Sequence, residues 1–294
     1  MAETPEFIVY SDEGQSDPFT KLLITNFWEM GFSVTRKPNT WRQWRKAQKL
    51  EQPCLFVGKP APHEGALCAY RFLTSNHWVI DRATRGAETE IGKAEFIPND
   101  DDGKGKQFLR NLRKRNTEPA EHEFAMQDFV LVVLDDFLAK IGGRTTTSFK
   151  MIQDVLKFAP ERQIIIHCDL DEYSDNQKRR LDEFDLQDAV NFSKASVDRL
   201  LPACAFVVAQ DGAISLHAAL HEKPSILCGD DIFHHLSRSK IKDGRLKKSF
   251  NRMERDRPDY AGYLKWVMDQ TIDATAEGAA QSVVARLQEL NWPN

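Results

Sequence analysis

The chain has 294 residues, more than the roughly 100–200 that a single core usually serves, so two domains or one large α/β sheet are the economical readings. Hydrophobic residues make up 41% and charged residues 29%, an ordinary globular composition that excludes disorder. With 44 acidic against 40 basic residues the net charge is −4, which excludes a general attraction for nucleic acid or an anionic membrane and leaves local basic stretches to be judged singly. In chain order, Glu6–Tyr10 reads as a first strand, ending in Ser11-Asp12-Glu13-Gly14. Asp17 then caps a helix whose apolar residues Phe19, Leu22, Leu23, Phe27 and Met30 recur at three and four, with Gly31 at its end. Phe32–Thr35 alternates as a second strand, Trp41–Leu50 is a polar helix with two tryptophans, and Cys54–Gly58 is a third strand. That alternation predicts parallel pairing with crossover helices. Gly65–Phe72 and His77–Asp81 are two further strands.

The character changes at 99–125, a turn-rich and strongly charged stretch with the basic run Arg110–Arg115, read here as a partly helical linker. The pattern then restarts. Phe129–Leu134 is a continuous apolar run, as expected of a strand covered on both faces, and ends in Asp135-Asp136. A helix over Thr147–Phe158 precedes a buried strand, Gln163–Cys168, and a helix over Leu181–Asp185 precedes a strand at Ala189–Phe192. Val197–Leu201 and Ser215–Leu220 read as helices, with strands at Cys204–Ala209 and Ser225–Gly229. Tyr260–Met268 and Ala279–Leu290 are amphipathic at helical period. The fold class read from this is α/β, two Rossmann-like domains facing a cleft: an N-terminal domain over 1–125, linker included, and a C-terminal domain over 126–294 with its terminal helices.

The five cysteines, Cys54, Cys68, Cys168, Cys204 and Cys228, are odd in number and form no CxxC, so neither a disulfide framework nor a metal site is expected. The opening Met-Ala-Glu-Thr-Pro-Glu lacks the apolar core of a signal peptide, and no run of about 18 apolar residues could span a membrane. The expected location is the cytoplasm, with peripheral membrane association as the only contact with a bilayer. The first strand runs into Ser-Asp-Glu-Gly rather than GxGxxG, and no P-loop occurs, which sets aside dinucleotide-dependent oxidoreductases and P-loop enzymes.

The most informative stretch is Ala205–Gly229: a buried strand, the turn Gln210-Asp211-Gly212, a helix, a Lys223-Pro224 exit and another buried strand. The turn aims backbone N–H groups at the carboxyl end of a strand, where a phosphate or carboxylate binds well and where open α/β sheets place ligands. Ser215 and His217 follow in the first turns of that helix. With Ser215-Leu-His-Ala-Ala-Leu220, Glu222-Lys-Pro224, Gly229 and the trailing Asp230-Asp-Ile-Phe-His-His235, this segment resembles the GT-B-fold glycosyltransferases of bacterial capsular polysaccharide synthesis, including the Kdo transferases of capsule linkers. The close resemblance covers about 35 residues, and the looser order of elements extends over 129–236. It departs from the family at His217, where a helix acid is expected, and at His167-Cys168, where a His-Pro pair usually closes an earlier strand.

The resemblance implies a nucleotide-sugar donor, such as CMP-Kdo, held by the C-terminal domain, a glycan or glycolipid acceptor held by the N-terminal one, and no cofactor or obligatory metal. It places His167, Gln210, Asp211, Gly212, Ser215, His217 and Gly229 at the donor. An inverting transfer needs a carboxylate to take the acceptor proton; Asp12, Glu13 and Asp81, each after a strand, are the candidates. Each has a plainer reading, Asp12 and Glu13 in turn formation and Asp81 in an ion pair with Arg82. Asp135-Asp136 are adjacent rather than spaced as DxD, and His234-His235 lack a third ligand at suitable spacing, so neither pair reads as a metal site. Trp41 and Trp44 read as packing residues or a sugar platform, and the basic runs as solvated faces. The alternatives are a catalytically degenerate binding protein and a sugar-nucleotide epimerase on the same fold.

Overall fold

The computed structural model describes all residues except 1–4, 13–16, 73–75, 84–87, 99–102, 117–126, 135–137, 142–143, 170–172, 211, 230–231, 240–242, 244–245, 254, 257 and 293–294. The chain forms two compact units, Met1–Lys93 with Val267–Asn294, and Ala94–Trp266.

The first unit contains β1 (Glu6–Ser11), α1 (Pro18–Glu29), β2 (Ser33–Pro38), α2 (Trp41–Leu50), β3 (Cys54–Val57), β4 (Leu67–Arg71), β5 (His77–Asp81) and α3 (Glu90–Lys93). Its sheet runs β2-β1-β3-β4-β5, with the tail strand Ile272–Asp273 outside β5. β1 to β4 are parallel, as the alternation predicts, but β5 is antiparallel to β4. The link from β4 to β5 is too short for a crossover, so the chain turns back as a hairpin. Asp17 caps α1 by accepting the Thr20 N–H at 2.9 Å, and Gly31, at φ +90°, ends it. The inward face of α1 brings Phe27 onto Phe7, with ring centroids 3.9 Å apart. Trp292 closes that cluster, 4.9 Å from Phe7, 5.3 Å from Phe27 and 5.6 Å from Phe32.

The second unit contains α4 (Lys104–Asn116), β6 (Val130–Leu134), β7 (Leu138–Ile141), β8 (Arg144–Thr147), α5 (Ser148–Phe158), β9 (Ile164–Cys168), α6 (Asp175–Asp185), β10 (Val190–Ser193), α7 (Val197–Leu200), β11 (Phe206–Ala209), α8 (Gly212–Leu220), β12 (Ser225–Leu227) and β13 (Arg238–Ser239). A 3-10 turn at Ile232–His235 and a helix at Leu246–Met253 follow, and the helix Tyr260–Asp269 carries the chain back to the first unit. The sheet is wholly parallel, in the order β10-β9-β6-β11-β12-β13, with β7-β8 a separate hairpin. β6 lies near its centre and is buried along its whole length. Val130 and Val132 meet Phe149, Ile152 and Val155 on one face, while Leu131 and Val133 meet Leu200, Leu201, Ile214 and Ala218 on the other. This is why the run reads as continuously apolar.

The sequence boundary at 125/126 differs from this division at both ends. Leu109 and Leu112 of α4 are buried, and Arg113 bonds the Leu220 carbonyl, so the segment after Lys93 belongs with the second unit. The terminal helix Ala279–Glu289, expected with the second half, packs against α1 through Val283 and Leu287. A two-residue strand such as Ile272–Asp273 carries no periodicity, so the sequence gives no sign of this return. No helix among the described residues is long and apolar enough to cross a membrane.

Candidate functional site

Register places one row of residues across the carboxyl edge of the second sheet: Ser193, His167, Val133, Ala209, Leu227 and Ser239. At about 4.8 Å per strand, His167 lies roughly 10 Å from Ala209, two strands away. Alternation fixes its face. Ile165 packs with Val133, Ala209, Ile214 and Ala218, so His167, two residues on, lies on the face that α8 covers. Cys168 packs on the opposite face.

Beyond Ala209 the chain passes through buried Gln210 into α8, whose first residue is Gly212. The neighbouring strand β12 is followed by Cys228, whose N–H donates to the Ala209 carbonyl at 2.8 Å, and then Gly229. A Cβ on Gly229 would stand 2.0 Å from the Gln210 carbonyl oxygen. Glycine is therefore required where the two strand-end turns touch. Two buried polar atoms on these elements, His167 Nδ1 and Ser215 Oγ, make no hydrogen bond among the described residues. Buried polar groups are normally satisfied, so each of the two atoms is open to a partner that reaches it. The first N–H groups of α8 add donors and a partial positive charge at the same edge.

His217 does not join them. A rise of 1.5 Å per residue carries it about 7.5 Å down α8 from Gly212, and its Nδ1 lies 2.9 Å from Asp198 Oδ1 on α7. His221, one turn further, stands 3.9 Å from the same oxygen, and burial pulls its pKa below 6.5 despite Asp198. Asp211 lies outside the described residues.

In the first unit, Asp12 follows β1 at the carboxyl edge and is exposed, its carbonyl accepting from Arg36 Nη2 at 2.6 Å. Glu13 lies outside the described residues. Asp81 is placed otherwise than expected. Because β5 is antiparallel, Asp81 pairs with Cys68, the second residue of β4, and the chain beyond it heads toward the amino-terminal end of that strand. It is wholly buried. Its Oδ1 accepts from the backbone N–H groups of Arg82 (2.6 Å) and Ala83 (3.3 Å); its Oδ2 accepts from that of Glu90 (2.9 Å) and from Arg286 Nη2 (3.2 Å). With all four lone-pair positions engaged, it has none for an acceptor hydroxyl. Its ion-pair partner is Arg286; Arg82 instead donates to the Glu64 and Leu290 carbonyls.

The same edge of the first sheet holds residues that the sequence reading passed over. Arg36 Nε donates to Ser11 Oγ at 2.6 Å, and Lys59 Nζ donates to the carbonyl and side chain of Asn39 at 2.6 and 2.9 Å. Their signal was available: Pro38-Asn39 and Gly58-Lys59-Pro60 are the turns directly after two parallel strands. Trp44 packs and donates to the Pro60 carbonyl, leaving Trp41 exposed beneath Lys59. The hollow lined by Asp128, Arg162, Lys223, Asp256 and Tyr260 opens at the opposite, amino-terminal edge of the second sheet. The five thiols are free, and burial raises Cys168 to about 11 and Cys54, Cys204 and Cys228 to about 12, so none is a ready nucleophile. Among the described residues no group of three or more His, Cys, Asp or Glu residues is arranged to hold a metal.

Among solved structures, the chain is similar to a β-Kdo 2,7 transferase, KpsC of Thermosulfurimonas dismutans, at 12% identity, covering 98% of this chain and 99% of that one with a TM-score of 0.56. The fold is GT-B. A β-Kdo 2,4 transferase, KpsC of the same organism, matches at 13% identity over 89% and 90% of the two chains, with a TM-score of 0.49. Anabaena HepE in complex with UDP matches at 11% identity over 98% and 100%, with a TM-score of 0.36. No family model and no curated protein matches the chain. At 12% identity the likeness to the β-Kdo 2,7 transferase is one of fold alone.

Proposed function

We propose that this chain is a glycosyltransferase that takes its sugar from a nucleotide-sugar donor held at the carboxyl edge of the second sheet. The observation that supports the reading is that His167 Nδ1, at the carboxyl end of β9, and Ser215 Oγ, in the first turns of α8, are buried with no hydrogen-bond partner among the described residues. A leaving phosphate gains negative charge as the glycosidic bond breaks, and fixed donors there stabilise it without reorganising. His167, Ser215, the Gly212 amide and the turn Gln210-Asp211 are assigned to that role, with Gly229 keeping the turn close. His217, tied to Asp198, is left out of it.

The acceptor is assigned to the first unit, with Asp12 and Glu13 as the candidates for the base that takes its proton. The finer reading is the capsular role that the Ala205–Gly229 resemblance implies, with CMP-Kdo as donor and a surface glycan or glycolipid as acceptor. The fold likeness to the Thermosulfurimonas dismutans Kdo transferase supports that choice of donor to try first.

The test is mass-spectrometric detection of transfer from CMP-Kdo, and in parallel from UDP and GDP sugars, to a lipid-linked glycan primer. Transfer that falls at least a hundredfold in Asp12→Asn or Glu13→Gln, with donor affinity kept, is the expected result. Release of an altered free sugar without acceptor would assign an epimerase. Donor binding without any turnover would assign a binding protein, the reading that the absent acid at His217 favours.

A further inference from the structure

We propose that the outward face of α2 docks this protein on an anionic phospholipid bilayer. The helix is held to its unit by Ala47, which is buried, and by Trp44, which packs on the Tyr10 and Phe56 side of the sheet. Arg42, Arg45, Lys46 and Lys49 stand at spacings of three and four, within an arc of roughly 100° centred opposite that buried face. The helix has no acidic residue. None of the four cations makes a hydrogen bond or ion pair among the described residues. On other helices cations find acidic partners, as where Lys150 pairs with Asp154 on α5 and where Arg113 of the equally basic α4 pairs with Glu222.

Four like charges one turn apart repel one another, a cost of about 0.2–0.5 kcal/mol per pair that an external anion would relieve. With a net charge of −4 on the whole chain, the attraction has to be local to this face. The four cations and Gln43 enclose a shallow hollow of the kind a phosphate headgroup fills. What selects a bilayer over a soluble polyanion is the pair of apolar side chains flanking the stripe. Trp41 is 57% exposed at the start of the helix and Leu50 52% exposed at its end, on opposite sides of the cations. An indole and an isobutyl group bordering a cationic face match the depth profile of a membrane interface, with headgroups over the charges and the rim in the acyl boundary. The Thr40 cap at one end and Glu51, at φ 50°, at the other hold the helix in register for that contact.

The experiment is flotation of the intact protein with phosphatidylcholine vesicles, with and without phosphatidylglycerol. Partitioning to the anionic vesicles alone is expected, weakening steeply as salt shortens the screening length from about 10 Å toward 3 Å. Each of R42Q, R45Q, K46Q and K49Q lowers the partition coefficient about fivefold, and the fourfold variant several hundredfold. L50S lowers it at high salt, where the apolar rim dominates. Far-UV circular dichroism and nucleotide binding, which lies in the other unit, check that each variant is folded. They also keep failure of this proposal distinct from failure of the functional reading. Absence of partitioning, or partitioning equal in the fourfold variant, would overturn the proposal. So would capture by heparin that depends on α2 while vesicles are ignored, which would make the partner a soluble polyanion.

Discussion

Removing the Asp81 carboxylate is expected to unfold the first unit more readily without touching chemistry. The carboxylate has three backbone N–H donors and Arg286, at 2.6–3.3 Å, all inside the protein. Asp81→Ala leaves those three N–H groups without the acceptor and the guanidinium with only the Ile80 carbonyl and Glu289. Breaking a buried pair in this way costs about 3–5 kcal/mol. Arg286→Met is milder, about 1.5–3 kcal/mol, because the carboxylate keeps its three backbone donors. Asp81→Asn lies between, since the amide keeps one acceptor oxygen but turns an NH2 donor toward the donors that the other oxygen served. The double variant Asp81→Asn, Arg286→Met should cost less than the sum of its parts by about 1–3 kcal/mol. The assay is urea unfolding followed by tryptophan fluorescence. Of the six tryptophans all but Trp266 lie in the first unit, so the signal reports on the unit that Asp81 holds. At the size of this unit, 4 kcal/mol corresponds to a fall in melting temperature of roughly 10 °C or more. An Asp81→Asn protein that keeps its unfolding midpoint and loses sugar transfer would instead make Asp81 the base.

Three further outcomes follow from the second unit. Gly229→Ala forces a methyl group against the Gln210 carbonyl, so donor nucleotide affinity measured by calorimetry should fall at least tenfold, with stability down by about 1–3 kcal/mol. His217→Ala breaks the bond to Asp198 and should cost about 1 kcal/mol in chemical denaturation while leaving that affinity unchanged; a lost affinity would return His217 to the site. His221 has its folded pKa below the ordinary 6.5, so its stabilising neutral form is fully present above that pH. As pH falls through 6.5 the unfolded chain takes up a proton that the fold resists, and stability drops. His221→Gln should flatten the melting temperature between pH 7 and the folded pKa, and an unchanged slope there would count against burial as the cause.

Much of the fold was legible because it rests on period and caps. The parallel order β2-β1-β3 follows from strand-helix alternation, and α1 from Asp17, Pro18 and the Phe19-Leu23-Phe27 stripe. The return of the C-terminal helix was not legible, since the aromatic cluster of Phe7, Phe27, Phe32 and Trp292 joins residues almost the whole chain apart. Of the site, the strand-turn-helix around Gln210–Gly212 was readable from its turn and its exit proline. The burial of Asp81 was not legible because a carboxylate after a strand looks the same whether that strand runs with its neighbours or against them. The contact of His217 was hidden for a related reason: helix spacing gives the face of a residue but not the neighbouring element, here Asp198 of α7, that it meets.

The proposed donor site puts a nucleotide sugar at the carboxyl edge of the second sheet, held through His167 and Ser215. Calorimetric titration of the intact protein with CMP, UDP and GDP, repeated on His167→Ala and Ser215→Ala, tests it most directly. Saturable binding of one nucleotide is expected, weakened about tenfold or more by each substitution, the loss of one to two hydrogen bonds to a charged group. Equal affinity in all three proteins, or no heat with any nucleotide at millimolar concentration, would contradict it.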